Sequence, residues 1–70
     1  MNVSLKVTVN GEPREIAAGS SLDDLLRSLE LDPRMVVVEH NRGIVRRPHL
    51  RERRLEDGDQ VELVHFVGGG

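Results

Sequence analysis

The chain has no cysteine, no tryptophan and no tyrosine, and Phe66 is its single aromatic residue. Without cysteine it can build no disulfide framework, no thiolate metal site, no catalytic thiol and no persulfide. The composition fits a reducing compartment. One aromatic ring cannot form the stacking platforms that hold single-stranded nucleic acid. Long apolar runs are missing too, and polar Asn2, Ser4 and Lys6 stand near the start. No signal peptide, transit peptide or transmembrane helix is expected, so the expected location is the cytoplasm, away from membranes.

What is present suits one small folded domain. The chain has 70 residues, 37 % hydrophobic and 31 % charged. A domain of this size buries about 60 % of the surface its unfolded chain exposes, so its stability is modest. The net charge of −2 is unevenly placed. Residues 42 to 54 hold six arginines (Arg42, Arg46, Arg47, Arg51, Arg53, Arg54) against Glu52, which makes +5. Elsewhere Lys6, Arg14, Arg27 and Arg34 face eleven acids, which makes −7. A basic segment on an acidic body suggests a docking face or an oriented dipole.

Val3, Leu5, Val7 and Val9 alternate with polar residues, the period of a strand with one buried face. Asn10-Gly11 signals a tight hairpin, and 12 to 17 reads as the returning strand, with Pro13 near an edge. Ser20 or Ser21 can cap a helix whose first turn carries Asp23 and Asp24. Leu22, Leu25, Leu26 and Leu29 form its apolar stripe, and Asp32-Pro33 is expected to end it. Val36-Val37-Val38 reads as a third strand, Asn41-Arg42-Gly43 as a turn and Ile44-Val45 as a brief fourth strand. Residues 48 to 55 give no clear pattern. After the Asp57-Gly58-Asp59 turn comes the last strand, with Val61 and Leu63 facing one way and Glu62, Val64 and Phe66 the other. One helix on a mixed sheet of four to five strands is a two-layer α+β fold of the β-grasp arrangement. Residues 1–67 form the expected domain and 68–70 a glycine tail.

Candidates for catalysis are sparse. His40, His49 and His65 lack metal-ligand spacing and read as surface or rim histidines. Ser20 and Ser21 are explained by capping, and neither a nucleophile elbow nor a phosphate loop is present. So small a chain has little bulk to enclose a cleft. The arginine segment reads as a solvated loop or a protein-docking face, and less well as an RNA face, which would want interleaved aromatics. No nucleic-acid partner is expected.

Gly68-Gly69-Gly70 carries more information. Such an end is often disorder or a cloning residue. Here it follows an apolar strand directly. Glycines can thread a narrow channel, and three extended residues reach about 10 Å. Such a tail can present the Gly70 carboxylate to another protein's active site. Val64 and Phe66, facing outward on a polar sheet face next to Val67, mark either ordinary surface residues or a contact surface for that partner.

The whole chain resembles the ThiS-type sulfur carriers of thiamine biosynthesis, which have the ubiquitin-like β-grasp fold. The resemblance rests on Asn10-Gly11, the leucine helix, and the run from Val38 through His40-Asn41-Arg42-Gly43 to Arg47. It is most specific at Leu55-Glu56-Asp57-Gly58-Asp59-Gln60-Val61-Glu62-Leu63-Val64 and the glycines. It implies that Gly70 is adenylated by an E1-like, ThiF-type enzyme using MgATP. Sulfur from a donor such as a cysteine desulfurase then yields a thiocarboxylate, which a ThiG-type thiazole synthase consumes. Gly68 and Gly69 would thread the partner's active site, with Val64, Phe66 and Val67 against its surface. The chain itself would bind no cofactor and would be a co-substrate rather than an enzyme. A MoaD-type or tRNA-thiolation carrier and a ubiquitin-like modifier are the alternatives.

Overall fold

A computed structural model describes residues 3–66. Val67, Gly68, Gly69 and Gly70, and with them the expected domain limit and tail, lie outside the described residues.

Strands β1 (Ser4–Val9) and β2 (Glu12–Ala17) pair antiparallel across Asn10-Gly11. Both turn residues have positive φ, 50° and 82°, as a type I′ turn requires. Helix α1 (Leu22–Ser28) starts at Ser21 in a reciprocal capping box. The Ser21 hydroxyl accepts from the Asp24 amide at 3.1 Å, and the Asp24 carboxylate accepts from the Ser21 amide at 2.9 Å. That backbone hydrogen bond, ahead of the other influences, lowers the Asp24 carboxyl from its ordinary value.

The helix ends earlier than Asp32-Pro33 predicts. Glu30 turns left-handed at φ 59°, its amide donates to the Arg27 carbonyl, and the Leu31 amide donates to the Leu26 carbonyl at 2.9 Å. This is a Schellman ending with glutamate in the seat that glycine usually takes, which is why the sequence does not announce it. Pro33 instead opens a 3-10 turn, Pro33–Met35, capped by the Asp32 side chain.

Strands β3 (Val36–His40) and β4 (Gly43–Val45) form a second hairpin, and β5 (Gln60–His65) closes the sheet. The strand order is β2-β1-β5-β3-β4, with β5 parallel to β1 and antiparallel to β3. The expected mixed sheet with one helix is therefore present, with five strands. Backbone pairing of β1 with β5 is short, and Asn10 lengthens it. Its side-chain amide donates to the Leu63 carbonyl at 3.2 Å and accepts from the Leu63 amide at 2.7 Å.

Leu22, Leu25 and Leu26 pack on Val7, Val9, Val38 and Val61 as the alternation predicts. Leu5 and Leu63 are half-buried at the margin of this core. Val3 departs from the pattern: it precedes β1 and is 60 % exposed. Residues 48 to 55 supply two core side chains, Leu50 and Leu55, that no period reveals. A 3-10 turn, Arg47–His49, leads into Leu50, which is fully buried. Backbone bonds then tie the segment to the helix start: Asp23 N to Leu50 O, Leu22 N to Arg53 O and Leu55 N to Ser20 O.

Candidate functional site on the open sheet face

The helix covers one face of the sheet, and the other face is open. On it, β1 presents polar Ser4, Lys6 and Thr8. Val64 and Phe66 extend outward from the β5 end, 55 % and 45 % exposed. Register adds two residues that the sequence does not reveal. Val64 lies opposite Val37 on β3, and Glu39, two residues on, lies opposite Ile44 on β4. Strand alternation puts all four on the same face. Ile44 is 68 % exposed. A run of three valines does not disclose which of them faces out, so Val37 needed the pairing.

The Phe66 amide donates to the Met35 carbonyl at 3.0 Å. Pairing thus continues past the end of β5, and Phe66 is held at the sheet's rim. The apolar patch and the last described residue are fixed together.

At the other end of β5 the Asp57-Gly58-Asp59 turn is latched to β1. The Lys6 amide donates to the Asp57 carboxylate at 2.8 Å, and the Gly58 amide to the Lys6 carbonyl at 2.8 Å. Gly58 has φ 88°, the conformation glycine tolerates at least cost. His40 is not at the surface or rim: it is buried, 2.6 Å from Asp59. The pair turns inward because Asp59 finds other donors there, the Asn41 side chain at 3.1 Å and the Glu56 amide at 2.8 Å. Burial pushes the Asp59 carboxyl up, but the bonds from His40, Asn41 and Glu56 outweigh it, and the net shift is downward.

Among the described residues nothing else gathers into a reactive constellation. His49 and His65 are exposed, and among the described residues no three His, Cys, Asp or Glu side chains could hold a metal. Ser21 is a cap, and the Ser28 hydroxyl donates to the Leu25 carbonyl. No helix among the described residues is long and apolar enough to cross a membrane.

The profile of the ThiS family matches residues 7–70. The chain belongs to the ThiS family. The sulfur carrier protein ThiS of Bacillus subtilis is 44 % identical over 50 residues, which cover 71 % of this chain and 76 % of that one. The crystal structure of a thiamine biosynthesis protein (ThiS) from Geobacter metallireducens superposes with a TM-score of 0.80 at 33 % identity, covering 94 % of this chain and all of the other. The β-grasp assignment stands on that match. A thiazole synthase of Magnetococcus marinus is 42 % identical over 66 residues, which are 94 % of this chain. The chain spans about one fifth of that relative's length.

Proposed function

We propose that this ThiS-family chain is a sulfur carrier for thiamine biosynthesis and that the Gly70 carboxyl carries the sulfur. The observation that carries the reading is the apolar patch of Val37, Ile44, Val64 and Phe66 on an otherwise polar face, beside the strand that runs into Gly68-Gly69-Gly70. Such a patch gives a partner a docking surface whose Val64 and Phe66 lie four residues or fewer before the glycines in the sequence.

In this reading a ThiF-type partner binds MgATP, and the Gly70 carboxylate attacks its α-phosphorus. Pyrophosphate leaves and an acyl-adenylate forms. Sulfide, supplied by a donor such as a cysteine desulfurase whose persulfide is reduced by a thiol, adds to the acyl carbon. AMP leaves and a thiocarboxylate remains. Gly68 and Gly69 let the end enter a narrow channel without side-chain obstruction. A ThiG-type thiazole synthase then accepts the sulfur. The thiazole synthase relative that contains a similar segment in its own chain supports this partner. The carrier is a co-substrate and binds no cofactor itself. A cytoplasmic setting suits a chain without cysteine.

The test is intact-protein mass spectrometry after incubation with MgATP, an active ThiF-type enzyme and sulfide. The expected result is one oxygen replaced by sulfur, localised to Gly70. An unchanged mass beside an enzyme that loads its own carrier would overturn the reading.

A further inference from the structure

The arginine segment lies around the rim of the molecule, between the helix side and the β4 edge. Arg27, Arg34, Arg47 and Arg51 line one open groove of about 620 Å³. Its two acids are already engaged: Asp23 lies 3.1 Å from Arg27, and Asp32 lies 2.8 Å from Arg34. Among the described residues neither Arg47 nor Arg51 has a carboxylate within ion-pair distance. The groove is therefore left with two uncompensated cations. Arg34 hydrogen bonds, with a smaller contribution from the charge of Arg47, hold the Asp32 carboxyl down at about 2. Arg47 lines the same groove as this pair.

A second groove of about 400 Å³ continues from the first, sharing Arg34 and Arg47. The apolar side chains it offers to a partner are the half-buried Val37 and the exposed Ile44, since Val36 and Val38 behind them belong to the core, and Arg46 also lines it. Along it runs β4, an edge strand. His40 and Gly43 close the two-residue hairpin, so by antiparallel alternation the Ile44 backbone N–H and C=O point away from β3. They are available to another strand.

We propose that this continuous groove docks an extended, acidic segment of a partner protein with alternating apolar residues, added as a strand beside β4. The arginines would take the carboxylates, Val37 and Ile44 the apolar side chains, and the Ile44 backbone the added strand. Nucleic acid fits less well, because phosphates have no use for the apolar Val37 and Ile44 side chains and the single aromatic, Phe66, stands just past β5 rather than in the groove. A small anion fits less well in so open a groove. This surface meets the Phe66 patch at Val37 and Ile44, and its occupancy does not depend on the chemistry of Gly70.

The experiment is an NMR titration of the isotope-labelled full chain with a blocked heptapeptide of alternating Glu and Val. Its Gln-for-Glu counterpart and a single-stranded RNA 12-mer form the other arms. The expected result is shifts at Ile44, Arg46, Arg47 and Arg51 with the acidic peptide. Binding should weaken about tenfold in R47E/R51E, whose spectrum otherwise stays native. Absent binding at millimolar peptide, equal binding by the Gln peptide or tighter binding by RNA would overturn the proposal. So would self-association that the double variant abolishes.

Discussion

His40 and Asp59 meet at 2.6 Å in the interior, where neither side chain is more than about a tenth exposed. The other ring nitrogen, Nδ1, is buried without a partner. At this separation from a carboxylate the ring's Nε2 carries a proton and donates it to Asp59. The pair joins β3 to the turn before β5, and the Asp59 backbone carbonyl accepts from the Thr8 amide. Removing the carboxylate leaves the His40 ring, the Asn41 amide and the Glu56 N–H without an acceptor at once. Asp59→Ala should cost about 3 kcal/mol in urea unfolding. His40→Leu in the same background should add less than it costs alone, because the partner has already gone.

The same carboxylate sets the response to acid. Asp59 and Asp24 are lowered in the folded chain, and Asp32 is lowered to about 2. Lowered carboxyls bind protons more readily when unfolded, so their stabilisation is full above the unfolded pKa of about 4 and is lost as pH falls through the folded values. Thermal unfolding should therefore show Tm steady near neutrality and falling between about pH 4 and pH 2. Asp59→Ala should flatten that fall.

Turn geometry yields a stabilising change. Asn41 and Arg42 occupy the tight turn between β3 and β4 with φ 50° and 74°. A left-handed arginine is strained by about 1 kcal/mol relative to glycine, so Arg42→Gly should raise the unfolding free energy by about that amount. A lowered stability would show that the Arg42 side chain makes a compensating contact.

Phe66 and Val64 separate docking from folding. Both are exposed, so Phe66→Glu and Val64→Asp should each change stability by less than about 0.5 kcal/mol. Each should nevertheless slow sulfur loading by about tenfold, the equivalent of 1.4 kcal/mol of lost partner binding. Loading rates unaffected in both variants would remove the patch from the interface.

Leu50→Ala tests the least legible part of the core. Leu50 is fully buried under the helix start, and truncation should cost about 3 kcal/mol in denaturant unfolding. In so small a domain that is a large share of the total.

These positions also show where the sequence speaks and where it does not. Strands announce themselves when polar and apolar residues alternate, as in β1, and turns when Asn-Gly or Asp-Gly supplies a positive φ. Glu30 and Arg42 adopt the same backbone region without glycine, so the helix end and the fine geometry of the second turn are silent in the sequence. Leu50 and Leu55 sit in an irregular segment with no period to expose them. His40 looks like a rim residue until Asp59, nineteen positions away, is brought beside it. At the candidate site Val64 and Phe66 follow from strand parity alone, whereas Val37 and Ile44 join them only through cross-strand register.

The position of β5 has a mechanical consequence. Its two neighbours are β1, parallel, and β3, antiparallel, so the start of β1 and the end of β5 lie toward opposite ends of the sheet. A pull on the chain beyond Phe66 slides β5 lengthwise between two ladders. It loads their hydrogen bonds together in shear and does not peel them one at a time as at an edge hairpin. A partner that draws the glycines into a deep channel would thus strain a pinned central strand, and the domain would keep its shape under that load.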